Sequence, residues 1–239
     1  MSELTQLRDK AAHAVFRSGT VHVDLENGFE LKVHETFPKA PRSPFYASLR
    51  PEGVKDGLLS PSDFAVMGRA MVAKARSEKL IRKRSIVGIP AAGEPLVDAF
   101  IANLDDDEAT ILSRQRLIKV EEPGQKRYIG GFQGSVSVDL AQDMLVFDDL
   151  MTNADTKIET KNQIEKIGGT MSDMMLFLNR SVDGIKRMNE IGVKVHVVWD
   201  FDPLMEFWLG HGYLKRREYE AIMEYPDKLK SYITAQTAV

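Results

Sequence analysis

Short apolar segments separated by helix-length segments most strongly constrain the fold of this chain. Residues 85–89 and 144–147 form apolar runs of strand length, which is typical of strands buried on both faces. A third strand is predicted at 193–198, where valines recur. Helical patterns lie between these strands, and strands that alternate with helices form βαβ units. We therefore predict the α/β class, with a mainly parallel sheet flanked by helices.

The first residues of the chain predict a small lobe that precedes this sheet. Residues 3–17 have their apolar positions roughly on one helical face. Two alternating segments, 21–25 and 29–33, surround Asn27 and Gly28, a dipeptide favoured in hairpin turns, so we predict a β-hairpin there. The predicted fold thus includes a small N-terminal helix and hairpin lobe.

The pattern as a whole predicts a single domain, residues 1–239, with three parts. The N-terminal lobe covers 1–50, the α/β core covers 60–200, and C-terminal helices cover 201–239. The first helix of the core is predicted to begin at Ser60, because serine followed by proline and then by an acid is a helix N-terminus signal.

Composition narrows the class of protein and of partner. Of 239 residues, 43% are hydrophobic and 28% are charged, which is typical of a globular protein. With 32 basic and 35 acidic side chains the formal net charge is −3, so no nucleic-acid partner is expected. The absence of cysteine excludes disulfides, thiolate metal sites and a cysteine nucleophile. The charged N-terminus and the lack of an apolar run of ~18 residues predict no signal peptide, no membrane association and a cytoplasmic protein.

One predicted strand end carries residues suited to a phosphorylated sugar. Ligands of parallel sheets bind beyond the carboxyl ends of the strands. Strand 144–147 is followed by Asp148 and Asp149, whose carboxylates can accept hydrogen bonds from sugar hydroxyls or hold a hydrated Mg²⁺. A turn rich in threonine and asparagine then leads into a helix, whose first N–H groups suit a phosphate. These residues alone leave open the alternative that the two acids are a solvated strand end.

Four segments, taken in order, resemble the type I phosphoribosyltransferases. Residues 144–156 fit without a gap the family's pattern of a hydrophobic strand, two acids, two apolar residues and Thr-x-Gly. Residues 39–50 resemble its Lys-Ser-Gly-x-x-Ser-Pro-x-Tyr segment, 87–96 resemble its pyrophosphate loop, and 124–131 resemble the end of its mobile basic loop. The resemblance covers roughly residues 5–230 and, within the family, is strongest to the orotate phosphoribosyltransferases.

The resemblance implies a Mg²⁺-dependent homodimer that transfers phosphoribosyl from phosphoribosyl pyrophosphate to the pyrimidine orotate, giving orotidine 5′-monophosphate and pyrophosphate. It also implies that residues 173–180, whose pattern alone is ambiguous, form a strand that ends near the site. Asp148 and Asp149 would bind the ribose hydroxyls, directly or through water on Mg²⁺, and Lys119 would be the catalytic cation of the loop. The implied substrate contacts are Lys39, Phe45 and Tyr46 at the pyrimidine, Ala91, Ala92 and Gly93 at the pyrophosphate, and Thr152, Asn153, Ala154, Asp155 and Thr156 at the 5′-phosphate.

The basic loop departs from the family's pattern. Aligned on the glycine at position 124, its three basic positions are occupied here by Leu117, Ile118 and Glu121. A glutamate that faces a pyrophosphate adds like-charge repulsion, which is opposite to what the transition state requires. Lys119 is the basic residue that remains in this segment, at an offset position.

The phosphate turn departs from the pattern as well. Ala154 stands where the family has glycine, which is unfavourable if the position requires positive φ. Asp155 adds a negative charge beside the implied phosphate, and we expect Lys157 to offset part of it. Two alternatives therefore remain open. One is a catalytically weak homologue that binds a nucleotide or sugar phosphate, and the other is a transferase that uses another base.

Overall fold

In a computed structural model, the chain folds around a central six-stranded sheet. The structure describes residues 2–120, 128–136, 143–152 and 154–237. The strands are β1 Val21–Val23, β2 Phe45–Ala47, β3 Arg84–Gly88, β4 Leu112–Val120, β5 Tyr128–Phe132, β6 Met144–Met151, β7 Met171–Asn179 and β8 Lys194–Asp200. The α-helices are α1 Glu3–Arg17, α2 Pro61–Ser77, α3 Gly93–Ile101, α4 Asp106–Thr110, α5 Asp155–Lys166, α6 Val182–Glu190, α7 Phe201–Gly210 and α8 Arg216–Thr237, and a 3-10 helix covers Lys32–Glu35.

The central sheet confirms the predicted fold class. Its strand order is β5-β4-β3-β6-β7-β8, and every neighbouring pair except β5 and β4 is parallel. β3 is buried at every position and β7 at every position but one. Such burial is expected for parallel strands, because their crossover helices cover both faces of the sheet. The protein is therefore α/β, with a mainly parallel sheet flanked by helices.

Two hydrophobic clusters cover the two faces of this sheet. The first, on the α2 side, joins α1, α2, α3 and α7 to Leu145 and Phe147 of β6. The second, on the α5 side, joins α5 and α6 to Met144 and Val146 of the same strand. Successive strand residues point to opposite faces, so β6 contributes to both clusters. Packing on both faces fixes β6 and, with it, the residues at its carboxyl end.

The N-terminal lobe contains the predicted helix and an antiparallel pair of strands, but the strand pairing differs from the predicted hairpin. β1 pairs with β2 and not with residues 29–33, part of which forms the 3-10 helix. The Asp24 carboxylate accepts the N–H groups of Glu26 and Asn27, each at 2.9 Å. Phe29, in the second half of the predicted hairpin, pairs with Ser43 just before β2 and not with β1, so this half of the prediction is wrong.

Most other predicted elements are present, but some boundaries differ. The strand predicted at 144–147 continues to Met151 as β6, so Asp148 and Asp149 lie within the strand, near its carboxyl end. Ser60 caps α2 and forms a capping box, as predicted. The sequence pattern predicts a helix from Leu96, whereas α3 begins at Gly93, whose N–H already bonds the carbonyl of Ile89 at 2.8 Å. It predicts a strand at 117–120, whereas β4 begins at Leu112, because it pairs with β3 along that strand's whole length. The predicted strand at 173–180 is confirmed as β7. Among the described residues, no helix is long and apolar enough to cross a membrane.

Candidate active site

The carboxyl ends of β3, β6 and β7 lie side by side, and we call this part of the sheet the carboxyl edge. Hydrogen bonds continue the pairing past the strands. The N–H of Ile89 donates to the carbonyl of Phe147 at 2.9 Å, and the N–H of Arg180 donates to the carbonyl of Met151 at 3.1 Å. The edge therefore brings together three segments: the turn after β3, the two acids of β6, and the turn that precedes α5.

Two glycines hold the turn after β3 against β6. A Cβ atom on Gly93 would lie 2.3 Å from the carbonyl oxygen of Phe147, and one on Gly88 would lie 2.4 Å from the carbonyl carbon of Gly93. These distances leave no room for a side chain at either position. Ala91 is exposed at the tip of the turn, whereas Ala92 is buried. The exposed tip and the start of α3 present N–H groups of the kind that bind phosphate oxygens.

The two acids of β6 have different surroundings. Asp148 is buried and both its oxygens are engaged, since Oδ2 lies 2.5 Å from Nζ of Lys157 and Oδ1 accepts the N–H of Asp149 at 3.0 Å. The Asp149 carboxyl accepts the N–H of Leu150 at 2.8 Å and is partly exposed. Loss of hydration and the neighbouring charge of Asp148 raise the pKa of the Asp149 carboxyl. Asp148 is thus an ion-paired anion, and Asp149 is the acid that remains accessible to a sugar hydroxyl.

Burial and charge act in opposite directions on the ammonium of Lys157. Burial opposes its positive charge, but the neighbouring carboxylates Asp148 and Asp149 outweigh burial and raise the pKa of Lys157. The lysine therefore stays charged within the carboxyl edge.

The turn before α5 ends in a residue with left-handed backbone conformation. Ala154 has φ = 65° and ψ = 0° and is the N-cap of α5 without a side-chain capping bond. Because φ is positive at this position, alanine is unfavourable here. Thr152 and Asp155 are exposed, and Thr156 is partly exposed, so these three residues are accessible to a ligand. Asn153, which was also expected at the 5′-phosphate, lies outside the described residues.

The negative charge of Asp155 in this turn is offset by an arginine of α6 and not, as predicted, by Lys157 of α5. Asp155 accepts a hydrogen bond from Nη1 of Arg187, in α6, at 3.0 Å. Lys157, the expected partner, instead contacts Asp148. The reason is the direction of each side chain, because Lys157 lies on the buried side of α5 and Asp155 lies on its exposed side.

Replacing Ala154 with glycine is expected to stabilise the protein by about 1 kcal/mol, because glycine adopts positive φ without the steric cost of a Cβ atom. The free energy of unfolding in urea measures the change. Lys79, with φ = 57° at the end of α2, offers a matched control, since Lys79→Gly should change stability in the same direction. A loss of stability in Ala154→Gly beside a gain in Lys79→Gly would contradict the expected relief of strain.

Lys119 of β4 reaches the turn after β3. Its Nζ donates to the carbonyl of Pro90 at 3.3 Å. Two positions where the family has basic residues, Leu117 and Ile118, also lie within β4, where Leu117 packs in the α5-side cluster and Ile118 is exposed. The third, Glu121, lies outside the described residues. Within the described residues 117–120, the positive charge near the turn after β3 therefore comes from Lys119 and not from positions 117 and 118.

Two further cations near this turn were not predicted from the sequence. Oε2 of Glu94, which follows Gly93 in α3, accepts hydrogen bonds from Arg114 at 2.7 Å and from Arg116 at 3.0 Å. Arg116 lies opposite Gly88 in the pairing of β4 with β3. No motif marks these arginines, because their proximity depends on a strand register that the sequence does not specify.

The residues expected at the pyrimidine do not form one surface. Phe45 is buried with its ring 5.6 Å from that of Phe201, whereas the ring of Tyr46, the next residue of β2, lies 6.4 Å from that of His22. Neighbouring residues of a strand point to opposite faces, so one base cannot stack on both rings. Lys39 is exposed, and no hydrogen bond or ion pair joins it to another residue in the described ranges.

Arg180 places a positive charge at the carboxyl edge, directly after β7. Its guanidinium carbon lies 5.2 Å from the ring centre of Phe45 and 5.3 Å from that of Phe201. Burial lowers the pKa of this guanidinium. Within the part of the chain that the structure describes, no carboxylate pairs with it. A stacked guanidinium without an acidic partner is suited to an anionic group of a ligand.

The residues present do not fit a Mg²⁺ ion held at Asp148. Mg²⁺ is usually bound through one or two carboxylates and several waters. Of the two acids expected to serve this purpose, Asp148 already contacts the ammonium of Lys157.

Comparison with known proteins gives one relative in sequence. No family model matches the chain. Over 184 residues the chain is 26% identical to an orotate phosphoribosyltransferase of Saccharolobus solfataricus, and the match covers 77% of this chain and 84% of the relative.

Solved structures give further matches. An orotate phosphoribosyltransferase of Francisella tularensis matches with a TM-score of 0.60 and 16% identity, over 90% of this chain and 96% of that one. UMP synthase of Leishmania donovani matches with a TM-score of 0.65 and 17% identity over 91% of this chain, which spans 41% of that protein's length. The Mycobacterium tuberculosis orotate phosphoribosyltransferase in complex with phosphoribosyl pyrophosphate matches with a TM-score of 0.53 and 13% identity, over 83% of this chain and 92% of that one.

At these identities the structural matches establish the fold, and the sequence match agrees with it. The resemblance to type I phosphoribosyltransferases predicted from the motifs is thereby confirmed. The chain is thus similar in sequence to an orotate phosphoribosyltransferase, and it has the fold of the solved orotate phosphoribosyltransferases.

Proposed function

We propose that this chain transfers the phosphoribosyl group of phosphoribosyl pyrophosphate to orotate, giving orotidine 5′-monophosphate and pyrophosphate. The observation that carries the proposal is the carboxyl edge, where the turn after β3 and the start of α5 lie on either side of an accessible carboxyl group. Phosphoribosyl pyrophosphate has the matching order of groups, with its pyrophosphate and its 5′-phosphate on either side of the ribose. The homodimer and the cytoplasmic location expected from the sequence belong to the same proposal.

The proposed reaction breaks the bond between ribose C1 and a pyrophosphate oxygen and forms a bond from C1 to a ring nitrogen, which loses its proton to the leaving pyrophosphate or to water. Negative charge then grows on the pyrophosphate, and positive charge grows on the ribose ring. In this proposal Lys119 and the N–H groups after β3 stabilise the leaving pyrophosphate, and Asp149 holds a ribose hydroxyl. Thr152 and Thr156, with the first N–H groups of α5, hold the 5′-phosphate.

Arg180 is proposed to recognise the acceptor base. Orotate differs from most bases by its carboxylate, and Arg180 is a cation at the carboxyl edge that has no acidic partner among the described residues. Its position directly after β7 places it beside Met151 of β6, to whose carbonyl its N–H donates. A guanidinium there would favour an anionic base over a neutral one.

Arg180→Met is expected to raise the KM for orotate about 10–100-fold, because a hydrogen bond to a charged group contributes about 1.5–3 kcal/mol. Binding of phosphoribosyl pyrophosphate should change little. Arg8→Met is a matched control, since Arg8 lies 4.0 Å from the ring of Trp199 and would lose a comparable contact between an arginine and an aromatic ring. Steady-state kinetics with orotate measure the effect, and an equal rise of KM in both variants would argue against base recognition by Arg180.

One observation favours a second function, a protein that binds a nucleotide or sugar phosphate without turnover. Leu117 and Ile118 occupy positions where the family has basic residues, and both belong to a regular strand. A site with fewer cations stabilises a leaving pyrophosphate less well.

Pyrophosphate release across a panel of bases separates these functions. The chain is incubated with phosphoribosyl pyrophosphate and with orotate, uracil or a purine in turn, with and without Mg²⁺. Release of pyrophosphate with orotate supports the proposed function. Release only with uracil or a purine would show that this base, and not orotate, is the acceptor. Binding of phosphoribosyl pyrophosphate without release from any base supports the second function.

A further inference from the structure

Lys157 is a buried cation in contact with one of the two acids of the carboxyl edge. Its Nζ lies 2.5 Å from Oδ2 of Asp148, and the two side chains are 10% and 7% exposed. Lys157 is in the first turn of α5, where the helix macrodipole disfavours a positive charge. Its carboxylate partner, and not its helix, therefore stabilises the lysine in this position.

This lysine changes the charge that a ligand meets at the carboxyl edge. The ammonium cancels one of the negative charges that Asp148 and Asp149 can carry. A divalent cation bound at Asp148 would lie close to that ammonium, and like charges at such a distance repel strongly where water is excluded. The other oxygen of Asp148 already accepts the N–H of Asp149. Each oxygen of the carboxylate thus already has a partner, and the ammonium offsets the negative charge that would favour a metal ion.

We propose that Lys157 takes the place of a divalent metal ion at the two acids, so that the carboxyl edge binds ribose 5-phosphate without metal. The identity of this ligand rests on the proposed function, whereas the exclusion of metal rests only on the contact between Lys157 and Asp148. Lys157 acts as a positioning residue. Its ammonium fixes Asp148, and Asp148 in turn accepts the backbone N–H of Asp149, the acid proposed to contact the ribose.

Binding of Mn²⁺ tests the exclusion of metal without any substrate. Electron paramagnetic resonance of free Mn²⁺ should show no site at the acids of the wild-type protein. Lys157→Met should bind Mn²⁺ at least about 10-fold more tightly than wild type, and the double variant Lys157→Met with Asp148→Asn should lose that site. Lys161→Met, which removes a lysine one turn later in α5 that pairs with Glu165, is the matched control and should behave as wild type.

Ribose 5-phosphate binding, measured by calorimetry, tests the role of the lysine toward the ligand. For wild type the Kd should agree within about two-fold in EDTA and in Mg²⁺, whereas for Lys157→Met binding should depend on Mg²⁺. If wild type binds no ribose 5-phosphate under either condition, the proposed function fails, and the Mn²⁺ measurement still decides the role of Lys157.

Three results would overturn the proposal. These are a Mn²⁺ site in wild type that Asp148→Asn removes, ribose 5-phosphate binding to wild type that requires Mg²⁺, and a folded Lys157→Met that gains no Mn²⁺ site. Far-UV circular dichroism checks the fold of each variant. If Lys157→Met does not fold, Lys157→Gln is used in its place, because the glutamine amide can still donate a hydrogen bond to Asp148. The measurements on wild type apply in either case.

Discussion

Asp149→Asn is expected to lower turnover at least about 100-fold and, at neutral pH, to leave the protein at least as stable as wild type. Asp149 is the acid of the carboxyl edge that is partly exposed, and it is the one proposed to hold a ribose hydroxyl as charge develops on the ring. Asparagine has the same shape but cannot ionise, so it cannot supply the carboxylate that the growing positive charge on the ribose ring favours. A variant that retains wild-type turnover would contradict this role.

The stability of Asp149→Asn follows from the raised pKa of the Asp149 carboxyl. The folded state binds this proton more tightly than the unfolded chain does. The contribution to stability is therefore complete below the ordinary carboxyl pKa of about 4 and is lost as pH rises through the higher pKa of the folded state. Urea unfolding should show wild-type stability falling with pH across that window, and Asp149→Asn should lack this fall.

Asp148→Asn should behave differently, which makes it the informative comparison. Removing Asp148 leaves the ammonium of Lys157 buried without its ion-pair partner, and this is expected to cost about 3–5 kcal/mol of stability. Replacing both residues, Asp148 by asparagine and Lys157 by methionine, should recover part of that loss. Equal stability changes in Asp148→Asn and Asp149→Asn would contradict the different surroundings of the two acids.

Gly93→Ala is expected to destabilise the protein by about 3 kcal/mol and to abolish binding of phosphoribosyl pyrophosphate. The added Cβ atom would lie 2.3 Å from the carbonyl oxygen of Phe147, a backbone atom of a strand that is packed on both faces. Since β6 cannot move away, the turn after β3 has to separate from it. The hydrogen bond from Ile89 to Phe147, which joins that turn to the carboxyl edge, would then break.

Gly210→Ala is the control for this prediction. Gly210 is also helical, but a Cβ atom there would have no neighbour within 4 Å. Alanine at Gly210 should leave stability unchanged or raise it by up to about 1 kcal/mol, because glycine is the poorer helix former. Urea unfolding and calorimetry with phosphoribosyl pyrophosphate measure both effects. A loss below about 0.5 kcal/mol in Gly93→Ala would show that the turn can shift without cost.

Features that depend on a short stretch of sequence could be predicted. The apolar run that begins β6 places it in a parallel sheet, and the two acids follow that run within the same strand. Ser60 marks the start of α2, because a capping box needs residues only three positions apart. The motif around Ala154 resembles a phosphate turn that has glycine at this position, and the positive φ of Ala154 agrees with that preference.

Features that depend on contacts between distant segments could not be predicted in the same way. β1 pairs with β2, which follows it only after residues 24–44, and the alternating pattern at 29–33 gives no sign of this pairing. Lys157 was expected beside Asp155 in sequence, yet its direction on α5 takes it to Asp148. Arg116 reaches Glu94 only through the register of β4 on β3. Each of these partners is selected by tertiary packing.

Phosphorus NMR of a mixture of the protein, phosphoribosyl pyrophosphate and orotate shows whether phosphoribosyl transfer takes place at the carboxyl edge. Wild type is predicted to produce pyrophosphate and orotidine 5′-monophosphate in equal amounts, and Asp149→Asn to produce neither at a comparable rate. Phosphoribosyl pyrophosphate that binds but persists unchanged with wild type, or equal product from Asp149→Asn, would contradict the account.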